Sequence, residues 1–283
     1  MFADVALALR IDAAEARLSR SIAVGLPATD GPHSAFAIPM GSGFAVFGKV
    51  GSPINKVIGI GIDATVTADE LDEIEGAFRV RGEDVRVELS TLARVEVGAL
   101  LTARGYRLRG FENVLGLDLR APFASADLAH VAVDLAADGE LSPWLEVLVD
   151  GFMQPDDSGV PGEAYPRALA EEVTRDFARS SDVQRYVARI DGEPAGSASM
   201  RLDGGIAAMC GASTLPARRR RGAQQALLQR RIEDARVAGC DVAVVTTAPG
   251  TQSQSNAERR GFRLLYSRAV LVLSVGSVDG AAD

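Results

Sequence analysis

The sequence is short of several things, and each shortage closes off a class of function. Lysine occurs only at Lys49 and Lys56, so the 30 basic residues are nearly all arginine. That bias fits a GC-rich genome better than a binding role. The net charge of −8 repels phosphate backbones and disfavours bulk nucleic-acid binding. Two cysteines, Cys210 and Cys240, and two histidines, His33 and His130, are too few and too scattered for a disulfide framework or a zinc site, so no structural metal is expected. No run of about 18 apolar residues occurs, which argues against a membrane span. The amino-terminal MFADVALALRID has Asp4 early and no basic region before its apolar residues, so it does not read as a secretory signal. The pattern G-x-x-x-x-G-K-[ST] is missing, which excludes a nucleotide P-loop. The expectation is a cytoplasmic monomer or homodimer with neither a membrane nor a nucleic-acid partner.

What is present is ordinary globular material, 47% apolar and 24% charged, enough for about two domains in 283 residues. An internal repeat supports that count. RGEDVRVELST (Arg81–Thr91) matches AGCDVAVVTTA (Ala238–Ala248), and ARGYRLRGFENVLGLDL (Ala103–Leu119) matches RRGFRLLYSRAVLVLSV (Arg259–Val275). In each copy a helix ends at a glycine suited to a left-handed cap, a β-branched strand follows, and a second helix ends at Arg-Gly before two short strands. The α/β reading divides the chain into residues 1–122 and 123–283, with Ala121–Asp127 as linker.

The two copies differ at the start of their first helix. In the amino-terminal copy, Thr67 and Glu70 of TADE form a capping box before Leu71, Ile74 and Phe78. In the carboxy-terminal copy, the strand GGIAAMCGAST runs through LPARRRRG into a longer helix bearing Leu228, Ile232 and Ala235 on one face. Before it come a helical region from Ser142 to Arg179 and a hairpin, Arg185–Leu202, turning at Asp191-Gly192. Four consecutive arginines at a strand-to-helix junction repel one another, and an anion would relieve that repulsion. Gly222 lets the backbone approach such a ligand, the N–H groups of the first helical turn point at it, and arginines add charge-assisted hydrogen bonds suited to pyrophosphate. Only the carboxy-terminal half keeps this candidate site.

TLPARRRRGAQQALL resembles the acyl-CoA-binding segment of the GNAT acyltransferase superfamily, a V-x-P strand ending followed by [QR]-x-x-G-x-[GA] and a helix. Thr214 and Pro216 take the V-x-P places, Arg219 the [QR] place and Gly222 the glycine, while Gln224 departs from the pattern and narrows the space beside a ligand. The order of elements from Trp144 to Leu273 is similar to that family too, and the repeat extends the likeness to a degenerate amino-terminal half. The resemblance implies two tandem α+β GNAT-like domains, each a mixed sheet with a splayed parallel strand pair. It implies acetyl-CoA as cofactor, held by Ala212, Ser213, Thr214, Leu215, Arg219, Arg220, Arg221, Gly222, Ala223, Gln224 and Asn256, with its pantetheine arm between Cys210–Thr214 and Val244–Thr247.

The implied activity is N-acetyl transfer to a small-molecule or peptide amine by direct attack in a ternary complex. Asp156, Asp157 and Glu163 then belong to the loop that overhangs the acceptor. The family often protonates the departing thiolate from a Tyr four residues before the glycine of its Gly-Phe pair; here that place is Ala257. Tyr266 and Ser253 are the nearby hydroxyl candidates, and alternation from Phe262 turns Tyr266 towards a core. Ser255 and Glu258 offer a capping box that would make these serines structural. The missing Tyr also prompts the alternative of an acyl-CoA-binding sensor or regulatory pseudoenzyme.

Overall fold

A computed structural model describes residues 3–27, 31, 33–123, 125–154, 166–180 and 182–275. The chain is a mixed α/β protein that divides into two compact units, and the division is not a single cut. One unit takes Ala3–Glu112 together with the chain from Tyr266 onward, and the other takes Asn113–Leu265.

The first unit begins with α1 (Val5–Val24), capped where Asp4 accepts from the Leu7 N–H at 2.8 Å. The strands β1 (Phe36–Met40), β2 (Gly43–Phe47) and β3 (Lys56–Ile58) pair antiparallel in sequence. The expected capping box opens α2 (Ala68–Arg79): the Thr67 hydroxyl accepts from Glu70 N, and the Glu70 carboxylate accepts from Thr67 N at 2.8 Å. The helix buries Leu71, Ile74 and Phe78 and ends near Gly82, whose φ of 65° is left-handed. β4 (Val85–Ser90) then pairs parallel with β3, and α3 (Val95–Ala103) leads through Gly105 into β5 (Arg107–Asp118).

The second unit starts within β5 and continues with β6 (Val131–Leu135), α4 (Leu141–Met153) and α5 (Arg167–Arg179). The hairpin of β7 (Val183–Ile190) and β8 (Glu193–Asp203) turns at Asp191 and Gly192, both at positive φ as a type I′ turn requires. There follow β9 (Ile206–Ala208), β10 (Ala212–Thr214), α6 (Ala223–Val237), β11 (Val242–Thr247), α7 (Gln252–Arg259) and β12 (Arg263–Leu273). The strands lie in the order β5-β11-β9-β8-β7-β6, with β10 also on β8.

Each repeat ends in one long strand where two short ones are expected: RLLYSRAVLVL has no glycine, proline, asparagine or aspartate to turn it, and Gly110 and Gly116 of RLRGFENVLGLD keep out of the left-handed region a turn would use. These strands are also exchanged. Residues Asn113–Asp118 of β5 pair with β11 in the second unit, whereas Arg268–Leu273 of β12 pair with β4 in the first. The strands of each unit are thus completed by one from the other half of the sequence.

In the second unit α4 docks on β10 through a glycine. The Ser213 Oγ lies 3.0 and 2.9 Å from the carbonyl oxygens of Val147 and Leu148, and a Cβ on Gly151 would stand 2.4 Å from the Ser213 side chain. Since Ser213 is itself buried, neither partner has room to yield. Gly151→Val is expected to destabilise the protein by ~1–3 kcal/mol, read as a lower urea midpoint at unchanged slope. A midpoint equal to the parent's would contradict this packing.

Candidate active site

The strand pair at the centre of the second unit parts at a definite point. β9 and β11 pair in parallel at Ile206–Val242, Ala207–Ala243 and Ala208–Val244, and Met209 N then donates to Val244 O at 2.8 Å. Beyond that bond β10 stays on β8, while Val245–Thr247 of β11 stay on Leu115–Asn113 of β5. The cause is a β-bulge. Between the pairs Arg201–Ala208 and Ala198–Ala212, β8 advances three residues and its partner four, and Ser199 N donates to both Cys210 O and Gly211 O. A gap opens between Ala212–Thr214 and Val245–Thr247. Leu215 N donates back to Ala195 O, so antiparallel alternation turns the N–H groups of Ala212 and Thr214 away from β8, into the gap.

Arg231 of α6 braces the bulge from below. Its guanidinium is buried and donates to the carbonyls of Leu227, Ser199 and Cys210, and burial pushes its pKa down to about 10. The Cys210 thiol is half-buried and lies 3.4 Å from Ala208 O, more open than a core position.

From β10 the chain passes through a short 3-10 turn at Pro216–Arg218 to the arginine loop. Arg219 donates to Gln154 O, and Arg221 pairs with Asp191 at 2.8 Å, which lowers the Asp191 pKa. Arg220 adopts φ 60°, a left-handed conformation that costs a non-glycine residue free energy and clusters at ligand-binding loops. Gly222, at φ 86°, is the N-cap of α6 and offers no side chain to its first turn. Ala226 N makes the first helical bond, to Gly222 O, so the N–H groups of Ala223, Gln224 and Gln225 lack helical acceptors. A Cβ on Gly222 would stand 3.0 Å from Leu128, with His130 close behind. The loop therefore gathers guanidinium groups and backbone donors around a glycine, an arrangement that binds anions.

The corresponding end of α2 in the first unit is closed. Its capping box takes up the Glu70 N–H, Asp69 and Glu70 add negative charge in the first turn, and the hollow beside Gly41, Gly61 and Glu70 measures about 10 Å³, room for one water at most.

Residues 148–262 match the acetyltransferase (GNAT) family. This segment is a GNAT domain. It lies wholly inside the second unit and spans the bulge, the arginine loop, the gap and α7. Among solved structures, a GCN5-related N-acetyltransferase from Kribbella flavida shares the fold at a TM-score of 0.64 and 19% identity, covering 94% of this chain and 95% of that one. A tandem GNAT protein from the clavulanic acid biosynthesis pathway superposes at a TM-score of 0.60 and 11% identity, covering 97% and 94%. Both likenesses extend over the full two-domain architecture. A search of curated proteins finds no match in sequence.

The structure brings some sequence-predicted residues together and separates others. Ala212, Ser213, Thr214, Leu215, Arg219, Arg220, Arg221, Gly222, Ala223 and Gln224 form one continuous path from the gap to the helix end, although the Ser213 side chain is committed to α4. Asn256 lies on α7, where its Oδ1 accepts from Gln252 and Arg259. Ser253 is exposed on the first turn of α7. Thr251 caps that helix, which therefore begins four residues before the capping box expected at Ser255, and the Ser255 hydroxyl accepts from Arg259. Ala257 packs in the apolar cluster beneath α6 and α7. Asp156, Asp157 and Glu163 lie outside the described residues.

Tyr266 belongs to the first unit. It is buried, and its hydroxyl donates to Asp12 at 2.5 Å; burial and the Asp12 charge both push its pKa up. It is one member of an ionic cluster. Arg268, fully buried, donates to Asp12 at 2.6 Å and Glu15 at 2.7 Å, and Lys56 reaches Glu15 at 2.7 Å and Glu88 at 3.0 Å. Arg86 and Glu112 complete it at 3.5 Å. Four carboxylates thus face three cations, and one oxygen of each of two of them, Asp12 Oδ2 and Glu112 Oε2, has no hydrogen-bond partner among the described residues. Burial first, then repulsion from Glu88 and Glu15, push the Glu112 pKa up to about 7 against the attraction of Lys56 and Arg268.

The folded-state value of Glu112 exceeds the ordinary one near 4.5, so between about pH 4.5 and 7 the folded protein keeps a proton that the unfolded chain has released. Stability falls as pH rises through that window, by up to ~3 kcal/mol. Glu112→Gln should remove this fall and match the parent at pH 5 but exceed it at pH 8 in urea melts. Parallel pH dependence in both proteins would show that Glu112 is ionised throughout.

Proposed function

We propose that the protein is an acetyl-CoA-dependent N-acetyltransferase whose second unit carries the reaction. The observation that carries this reading is the continuity of an uncapped, arginine-ringed helix end with a gap between splayed strands inside a GNAT domain. Arg219, Arg220 and Arg221 with the N–H groups of Ala223 and Gln224 hold the pyrophosphate, Gly222 admits it, and the backbone of Ala212–Leu215 holds the pantetheine arm. Asn256 meets the cofactor from α7. When bound, acetyl-CoA supplies an acyl group activated as a thioester.

The chain's own residues then have two tasks. The Ala212 N–H, turned into the gap, polarises the acyl carbonyl as preorganised donors do. Asp156, Asp157 and Glu163 draw a cationic small-molecule or peptide amine to the acceptor side; the ammonium releases a proton to water, and the neutral amine then attacks directly in a ternary complex. A thiol-release assay with acetyl-CoA against a panel of amines tests this, and amine-dependent release of free CoA is the expected result.

The methyl group of Ala257 at the place of the usual acid favours a second reading, an acyl-CoA-binding sensor. Tight acetyl-CoA binding with no thiol release for any amine would select it.

A further inference from the structure

Thr247 ends β11 and is only 6% exposed, yet its Oγ1 has no hydrogen-bond partner among the described residues. A hydroxyl buried without a partner forfeits its hydrogen bonds to water and gains none in return. Such a group at the rim of the gap points to a partner that arrives with a ligand.

Register fixes where the hydroxyl stands. Ala243 and Val245 pack in the cluster beneath α6 and α7, so alternation brings Thr247 to that same side. Its cross-strand partner Asn113 agrees, since the Asn113 Nδ2 donates to Gln254 of α7 at 3.3 Å. Counting from the last parallel pair, Ala208–Val244, the bulge absorbs one residue, and Thr247 falls level with Ala212 across the gap. Ala212 packs on the same cluster, and its N–H enters the gap. Thr214 Oγ1 is likewise without a partner, but it sits over Gly196 of β8, turned back from the opening. Ala257, from whose place the usual acid would act, offers only a methyl group.

We propose that Thr247 is the hydrogen-bond donor to the sulfur of bound CoA, replacing the missing Tyr; this rests on the acetyl-CoA reading above. In the transfer, the amine nitrogen bonds to the acyl carbon, the C–S bond breaks, and its electron pair goes to sulfur. The proton lost by the nitrogen equals the proton gained by the sulfur, so amine and thioester give amide and thiol with none left over. Thr247 stabilises the sulfur while it is charged and relays that proton. Its hydroxyl is too weak an acid to be left ionised.

The test needs no acceptor. CoA itself is bound to the full chain, and the ultraviolet absorbance of its thiolate is titrated with pH, while calorimetry measures CoA affinity. In Thr247→Val the bound thiol should ionise at a pH about one unit or more higher than in the parent, because a hydrogen bond to a charged group is lost. Thr247→Ser should restore the parent titration, with calorimetry setting the CoA concentration at which each variant is saturated. If valine perturbs binding, Thr247→Ala gives the same comparison. An unchanged thiol titration at saturating CoA overturns the role of Thr247 alone. Failure of the parent protein to bind CoA or acetyl-CoA at millimolar concentration overturns the underlying reading.

Discussion

Ending the chain at Leu265 is expected to unfold the amino-terminal unit. The lost segment supplies six residue pairs to β4, from Arg268–Ser90 to Leu273–Val85, and the buried Val270 with its apolar neighbours. It also supplies Arg268, without which Asp12 and Glu88 stay buried beside fewer cations. Breaking a buried ion pair from one side costs ~3–5 kcal/mol, and a whole domain is stable by only ~5–15 kcal/mol. Adding the lost hydrogen bond from Tyr266, the lost apolar packing of Val270 and the exposed edge of β4 brings the loss to the order of that margin. Circular dichroism and urea melts of residues 1–265 check this. Arg268→Met, a milder change, should lower stability by ~3 kcal/mol or more. The exchange works in both directions, so a chain that begins after residue 122 leaves β11 without Asn113–Asp118. A cooperative transition at the parent's midpoint in either truncation would show that the exchanged strands are dispensable.

Gly222→Glu should abolish acetyl-CoA binding, by ~100-fold or more. The substitution places a negative charge at the open end of α6, forces a side chain into φ 86°, and crowds Leu128. Gly222→Asn separates these effects, since asparagine tolerates the left-handed region and adds no charge. It should fold like the parent and lose less affinity. Undiminished binding by a folded Gly222→Glu protein would place the ligand elsewhere.

Local chemistry was legible in the sequence wherever a few adjacent residues decide the outcome. The TADE capping box, the Asp191-Gly192 turn, the glycine caps at Gly82 and Gly239, and the uncapped α6 after Gly222 all follow from such short-range rules. What escaped depends on partners far away in the chain. Tyr266 could be turned towards a core by alternation, but its partner Asp12 lies 254 residues away, and no local signal names it. The exchange of β5 and β12 is hidden for the same reason: both strands read as the end of their own repeat, and only pairing tells which unit each completes. The start of α7 was within reach, because Gly250 at φ 77° and Thr251 three residues before Gln254 offer an earlier cap than Ser255. The bulge at Cys210–Gly211 left only a glycine in a strand as its trace. Thr247 gave no sign at all, since an unpaired hydroxyl is a property of packing.

The claim that one half of the chain binds acyl-CoA and the other does not rests on two helix ends, α6 open beside arginines and α2 closed by Thr67 and Glu70. Calorimetric titration of the full chain with acetyl-CoA tests it most directly. One ligand per chain is the predicted stoichiometry, whereas two per chain, or no binding at millimolar acetyl-CoA, would contradict the account.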